Sequence, residues 1–304
     1  MDKLLLGNGI KTGAIALGCM RISRMEVAAA EKLVMTALEN GIDLFDHADI
    51  YGGGESEAVF GRVLSRNPGL RQKMIVQGKV GICKGYYDAS KAHIIEAVEG
   101  SLKRLGIESL DTLLLHRPDA LMEPEEVAGA VRALKDAGKI RVFGVSNENA
   151  AQIALLSRYL PGEVAVNQLQ FSLAHTPIVD AGVNVNMHSA HAIVREGGVL
   201  DFCRLHEITV QAWSPFQYGM FEGVFVGSEK YPELNQVLDK MAAEKGVTPS
   251  AIAIAWILRH PARIQAIVGT TKPTRVAEIA KAYETPISRQ EWYKLYLAAG
   301  NPLP

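Results

Sequence analysis

The sequence predicts an α/β fold, a (β/α)8 TIM barrel with an N-terminal β-hairpin and a long loop after strand six. Three observations carry this. Eight short apolar runs recur along 304 residues, and stretches with helical spacing fill the gaps between them. The runs are apolar on both faces, as strands covered by helices must be. Strand, helix, strand repeated in this way requires parallel pairing through right-handed crossovers. One domain over residues 1–304 suits a barrel of this length, and no linker or low-complexity run divides it.

The elements follow in order. DKLLLGNGIKTG sets GNG between two apolar pieces and reads as a hairpin capping the barrel floor. GAIALGC (13–19) is the first barrel strand, followed by the helical MEVAAAEKLVMTALENG. IDLFD (42–46) is the second, with a helix starting near Glu55 after three turn-forming glycines. MIVQGKV (74–80) precedes KAHIIEAVEGSLKRLG, and LDTLLLH (110–116) precedes PEEVAGAVRALKDAGK, each helix ending at a glycine. IRVFGVS (140–146) and EVAVNQLQ (163–170) are the fifth and sixth strands. The long segment 171–199 then carries Met187 and the histidines 175, 188 and 191, which either line a substrate mouth or face solvent as loop residues commonly do. ITVQAWS (208–214), the helical YPELNQVLDKMAAEKG and IQAIVG (264–269) complete the set. An open doubly wound sheet is the runner-up, but the first strand opens no GxGxxG turn, despite the glycines of GNGIKTGAIALG.

Composition narrows the function. Lys+Arg 32 against Asp+Glu 33 gives a net charge of −1, so no global field draws the chain to nucleic acid or to an anionic membrane. No stretch supplies about 18 uninterrupted apolar residues, and the three-leucine run near the start is too short for a signal peptide core. Three widely separated cysteines, Cys19, Cys83 and Cys203, fit reduced thiols and a cytoplasmic location better than a disulfide framework.

In a parallel barrel, chemistry sits where the strands end. From the second strand onward the ends offer Asp46 and Tyr51, Lys79, His116, Ser146 and Asn147, Asn167 and Gln168, Trp213 and Ser214, and Thr270 and Thr271. Singly, each has a bland explanation as a solvated charge, a turn aromatic or a core side chain. Asp, Tyr, Lys and His on three successive strand ends have less of one. A tyrosine titrates near pKa ~10 and donates a proton at neutral pH only when a nearby cation favours the phenolate. Lys79 supplies that cation and Asp46 the carboxylate that keeps it charged. His47 and His116 together suggest a metal less well than a packed histidine near the mouth, and no metal is expected.

FDHADIYG, IVQGKVG, LLLHRPD, GKIRVFGVSN, VNQLQFS, AWSPF and IVGTTKPTRVAE, in that order and across nearly the whole chain, resemble the aldo-keto reductase superfamily in its bacterial short-tailed branch, which is also related to potassium-channel β subunits. The resemblance implies NADP(H), in preference to NAD(H), and hydride transfer to a small-molecule aldehyde or ketone. It implies a catalytic tetrad of Asp46, Tyr51, Lys79 and His116, with Tyr51 as proton donor. It further implies that Ser146, Asn147 and Gln168 hold the nicotinamide carboxamide and that Trp213 stacks on the ring. Gly18, Met20 and Arg21 approach the same cofactor region, and Ser214, Pro215 and Phe216 contact the pyrophosphate. Gly269, Thr270, Thr271, Lys272, Arg275 and Glu278 surround the adenosine end, where two cations suit a 2′-phosphate.

Three positions depart from the family pattern: Trp213 replaces a common Tyr, Gly269 a common Lys, and Ile279 a common Asn. The resemblance leaves two rivals, a regulatory barrel of the channel-subunit kind and a Schiff-base lyase using Lys79. The short segment after the last helical pattern implies an open pocket for small aldehydes or dicarbonyls.

Overall fold

The computed structural model describes residues 3–7 and 9–304. Two short strands, β1 (Leu4–Leu6) and β2 (Ile10–Thr12), pair antiparallel with Leu5 opposite Lys11. Of the GNG turn expected between them, Asn8 lies outside the described residues.

Eight parallel strands then close into a barrel: β3 (Ile15–Gly18), β4 (Leu44–Asp46), β5 (Ile75–Val80), β6 (Leu110–Leu115), β7 (Ile140–Ser146), β8 (Val164–Gln170), β9 (Thr209–Trp213) and β10 (Gln265–Val268), with β10 returning to β3. Each falls within one of the eight apolar runs. The helices α1 (Val27–Glu39), α2 (Glu55–Arg66), α3 (Lys91–Leu105), α4 (Pro124–Asp136), α5 (Ala150–Tyr159), α8 (Pro232–Lys245) and α9 (Pro249–Leu258) pack outside. Local chemistry fixes their ends. Asn149 and Ser288 make reciprocal capping boxes, and Pro124, Pro232 and Pro249 open helices where a missing N–H costs nothing.

Strand side chains alternate between two cores. Phe45, Val76, Leu113, Phe143 and Val210 face the helices in the large outer core. Ala16, Leu44, Leu114, Val142, Val166 and Ile267 form a small inner core with Leu6 and Ile10 of the hairpin, which therefore plugs the N-terminal end as expected. The same alternation points Gln77 and Lys79, His116, Ser146, Gln168, Gln211 and Trp213 inward. These two-residue steps carry each functional side chain from the plugged floor to the open C-terminal face.

The segment 171–199 is more ordered than a bare loop. It contains α6 (Pro177–Val183) and a 3₁₀ turn at Ala190–Ala192 before α7 (Val199–Leu205), and Phe171 and Leu173 are buried in the outer core. The chain ends on α10 (Pro273–Ala280) and α11 (Arg289–Ala298). Among the described residues no helix is long and apolar enough to cross a membrane, and all three cysteines are free.

Candidate active site

A cavity of about 600 Å³ opens over the C-terminal ends of the strands. Asp46, ending β4, and Lys79, in β5, are both buried, with Lys79 Nζ 2.6 Å from Asp46 Oδ1. Tyr51 follows β4 through a short turn that brings its ring beneath the same ammonium, 5.1 Å from Nζ to the ring centroid. Beyond Tyr51 the chain turns into α2 through Gly52, Gly53 and Gly54, whose φ values of 62°, 66° and 92° are left-handed. A Cβ on Gly52 would also sit 2.5 Å from the Ser23 side chain. His116 leaves β6 with its ring edge-on to Tyr51 at a centroid distance of 5.9 Å.

Electrostatics assign each group a state. Burial alone would push Lys79 down, but the Asp46 carboxylate and the Tyr51 phenol outweigh it and hold the amine above its ordinary value, as a cation. Burial raises Tyr51 above its ordinary value; the Lys79 charge opposes this and Asp46 adds to it, so the phenol keeps its proton at neutral pH. Burial, then the charges of Lys79 and Arg117, lower His116 to about 2, which makes it a neutral imidazole throughout the physiological range. Its Nδ1 is buried without a partner among the described residues, leaving Nε2 as the ring nitrogen open to the cavity.

The neighbouring wall is hydrogen-bonded in series. Trp213 Nε1 donates to Asn147 Oδ1 at 3.0 Å, Asn147 Nδ2 to Ser146 Oγ at 2.8 Å, and Ser146 Oγ to the Gln168 carbonyl at 2.9 Å. Asn147 and Ser214 adopt left-handed backbone (φ 60° and 51°), turning the chain sharply at the ends of β7 and β9. Across the cavity, Arg21 donates to the Gly269 carbonyl at 2.9 Å and ties the end of β3 to that of β10.

Of the positions expected from sequence, Gly18, Met20, Arg21, Asp46, Tyr51, His116, Ser146, Asn147, Gln168, Trp213, Ser214, Pro215, Phe216, Gly269, Thr270 and Arg275 all line this one cavity. Lys79 lies beneath it, held by Asp46. Thr271, Lys272 and Glu278 stay outside its walls, at the start and along the outside of α10. Met187 and the histidines 175, 188 and 191 also stand apart from this cavity. Ile50, Ile82, Tyr87 and Arg117 line the cavity together with Met220 and Phe221 from the loop after β9.

A family profile described as Aldo/keto reductase family matches residues 14–296. The chain belongs to the aldo/keto reductase family. Among curated relatives, the 6-dehydroglucose reductase of Agrobacterium fabrum is 33% identical over 98% of both chains. A putative voltage-gated potassium channel β subunit of Schizosaccharomyces pombe is 28% identical over 91% of this chain and 86% of its own. Among solved structures, an aldo/keto reductase from Klebsiella pneumoniae in complex with NADP and acetate superposes with a TM-score of 0.78 at 26% identity, covering 99% of this chain and 97% of that one.

Within this aldo/keto reductase several polar residues escaped the sequence reading. Gln77 and Gln211 lie in the barrel interior, Gln77 donating to Asp46 Oδ1 at 2.7 Å. The strand period was the available signal: each stands two residues before an inward-facing site residue, Lys79 or Trp213. Arg117 sits over the Trp213 ring at 5.6 Å. His47, expected as a packed histidine, is buried against Phe60 at 4.5 Å, with neither ring nitrogen paired among the described residues, and burial lowers it to about 3. No group of three or more His, Cys, Asp or Glu side chains among the described residues is arranged to hold a metal ion.

Glu148, next to Asn147, is 1% exposed, and neither carboxyl oxygen has a partner among the described residues. Burial raises it from 4.5 to about 7. The folded chain therefore holds a proton there that the unfolded chain releases, and stability declines as pH rises from about 4.5 to 7. Glu148→Gln is expected to stabilise the protein by up to about 3 kcal/mol at pH 8 and far less at pH 5. Thermal unfolding at the two pH values checks this, and an equal gain at both would contradict it.

Proposed function

We propose that the chain is an NADPH-dependent carbonyl reductase in which Tyr51 protonates the carbonyl oxygen of an aldehyde or ketone. The observation that carries this is the convergence, under one cavity, of a charged Lys79, a protonated Tyr51 and a neutral His116. The walls fit a nicotinamide dinucleotide. Trp213 offers a flat, half-buried face, Gln168 a polar amide, and Gly18 a stretch of wall with no side chain in the way. Arg21 and Arg275 add cations at the far end, and Lys272 and Arg275 at the start of α10 favour a phosphorylated ribose.

When bound, the cofactor supplies the hydride. The chain's own residues do the rest. His116 Nε2 and the Tyr51 hydroxyl bind the carbonyl oxygen and polarise it. As negative charge grows on that oxygen, Tyr51 gives up its proton, and the Lys79 ammonium stabilises the phenolate left behind. Asp46 holds Lys79 charged and fixed. That pairing also disfavours a Schiff-base lyase, which needs an uncharged amine.

The relatives from Agrobacterium fabrum and Novosphingobium aromaticivorans, 33% and 34% identical, are named 6-dehydroglucose reductases, so a hexose carrying an aldehyde at C6 is the first substrate to test. Initial rates of NADPH and NADH consumption with that aldehyde and with a panel of small aldehydes and dicarbonyls decide the matter. NADPH-dependent turnover is expected. Cofactor binding without turnover on any carbonyl would favour a regulatory barrel.

A further inference from the structure

Four glutamines run as a chain of amide hydrogen bonds across the barrel interior, directly under the cavity. Gln77, Gln211 and Gln265 have no exposed surface, and Gln168 is 3% exposed. Such amides are ambiguous in isolation, because either end can face either way. Here both ends of the chain meet groups that only accept. At one end Gln265 Nε2 donates to the Gly13 carbonyl at 2.6 Å. That turns Gln265 Oε1 toward Gln211, whose Nε2 donates to it at 2.8 Å and to Gln77 Oε1 at 3.0 Å. Gln211 Oε1 is then left to accept from Gln77 Nε2 at 2.9 Å and Gln168 Nε2 at 3.0 Å. At the other end the second N–H of each goes to Asp46 Oδ1, at 2.7 Å from Gln77 and 3.1 Å from Gln168.

The consequence falls on Gln168. Both its N–H groups are consumed inside the barrel, and only Oε1 remains for the cavity that Gln168 lines. Reversing this one amide would set its oxygen against Asp46 Oδ1 and Gln211 Oε1, two buried acceptors.

We propose that Gln265, Gln211 and Gln77 form a polarity lock that fixes the Gln168 amide with its oxygen toward the cavity, so that the site selects a pyridine ring whose substituent donates an N–H, as a carboxamide does. This deepens the proposed function and rests on its placing of a nicotinamide at that wall. The three glutamines are positioning residues, since they act on the cofactor through Gln168.

The experiment compares dissociation constants for NADP⁺ and for its 3-acetylpyridine analogue, in which a methyl group replaces the carboxamide nitrogen, by quenching of protein fluorescence. The wild type is expected to bind NADP⁺ about fivefold to tenfold more tightly, the worth of one net hydrogen bond. In Gln211→Met, which keeps the side-chain volume but removes one of the two acceptors that hold the Gln168 amide and leaves Asp46 Oδ1 as the other, the preference is expected to fall by about half. Gln265→Met, remote from the cavity, should shift the preference in the same direction and serves if Gln211→Met fails to fold. An undiminished preference in a folded variant would overturn the lock while leaving the reductase reading intact. Failure of the wild type to bind either dinucleotide would overturn the reductase reading, and the lock's proposed role with it.

Discussion

Tyr51→Phe is expected to lower NADPH-dependent carbonyl reduction by about 10²–10⁴-fold, the usual contribution of a positioned general acid, and to leave the NADPH dissociation constant within about twofold of wild type. The mutation removes one oxygen from a ring that remains packed beneath Lys79 and beside His116. The proton that must reach the carbonyl oxygen then has no donor, since Lys79 is engaged by Asp46 and His116 is neutral. Steady-state rates and a fluorescence titration of the same preparation separate the two effects. A rate within a few-fold of wild type would assign the proton to another group.

Lys79→Met is expected to abolish measurable turnover and to destabilise the fold by about 3–5 kcal/mol, because it leaves the buried Asp46 carboxylate without its cation. Gln77 and Gln168 still donate to Asp46, but neither amide carries a charge. Asp46→Asn combined with Lys79→Met should recover much of that stability and none of the activity, which distinguishes the cost of an orphaned charge from the loss of catalysis. Chemical denaturation of the two variants measures the difference. A single variant as stable as wild type would mean that solvent reaches Asp46.

The barrel and the convergence of Asp46, Tyr51, Lys79 and His116 were legible because both follow from short-range pattern. Each strand is an apolar run with a polar stop, and the stop is where a parallel barrel opens. Asp46, Lys79 and His116 thus converge by being at or near the ends of adjacent strands, and Tyr51 joins them five residues beyond Asp46, just before three left-handed glycines turn the chain into α2. The interior glutamines were harder to read, because a Gln within VQGKV or VQAWS looks like an interruption until the two-residue step to Lys79 or Trp213 is counted.

The long connections were harder to read than the strands. Histidines in a long segment suggest a binding loop, but α6 and the buried Phe171 and Leu173 commit that segment to packing beside the barrel. The loop carrying Met220 and Phe221 reaches the cavity with no periodicity to announce it.

The most direct test of hydride transfer uses NADPH carrying deuterium at the transferable position of the nicotinamide C4, incubated with the wild-type protein and the C6 aldehyde of glucose, with the product read by mass spectrometry and NMR. The account predicts one deuterium on the new carbinol carbon, at a rate that collapses in Tyr51→Phe. Product formed without deuterium, or labelled cofactor that binds and is returned unchanged in the presence of every carbonyl offered, would contradict it.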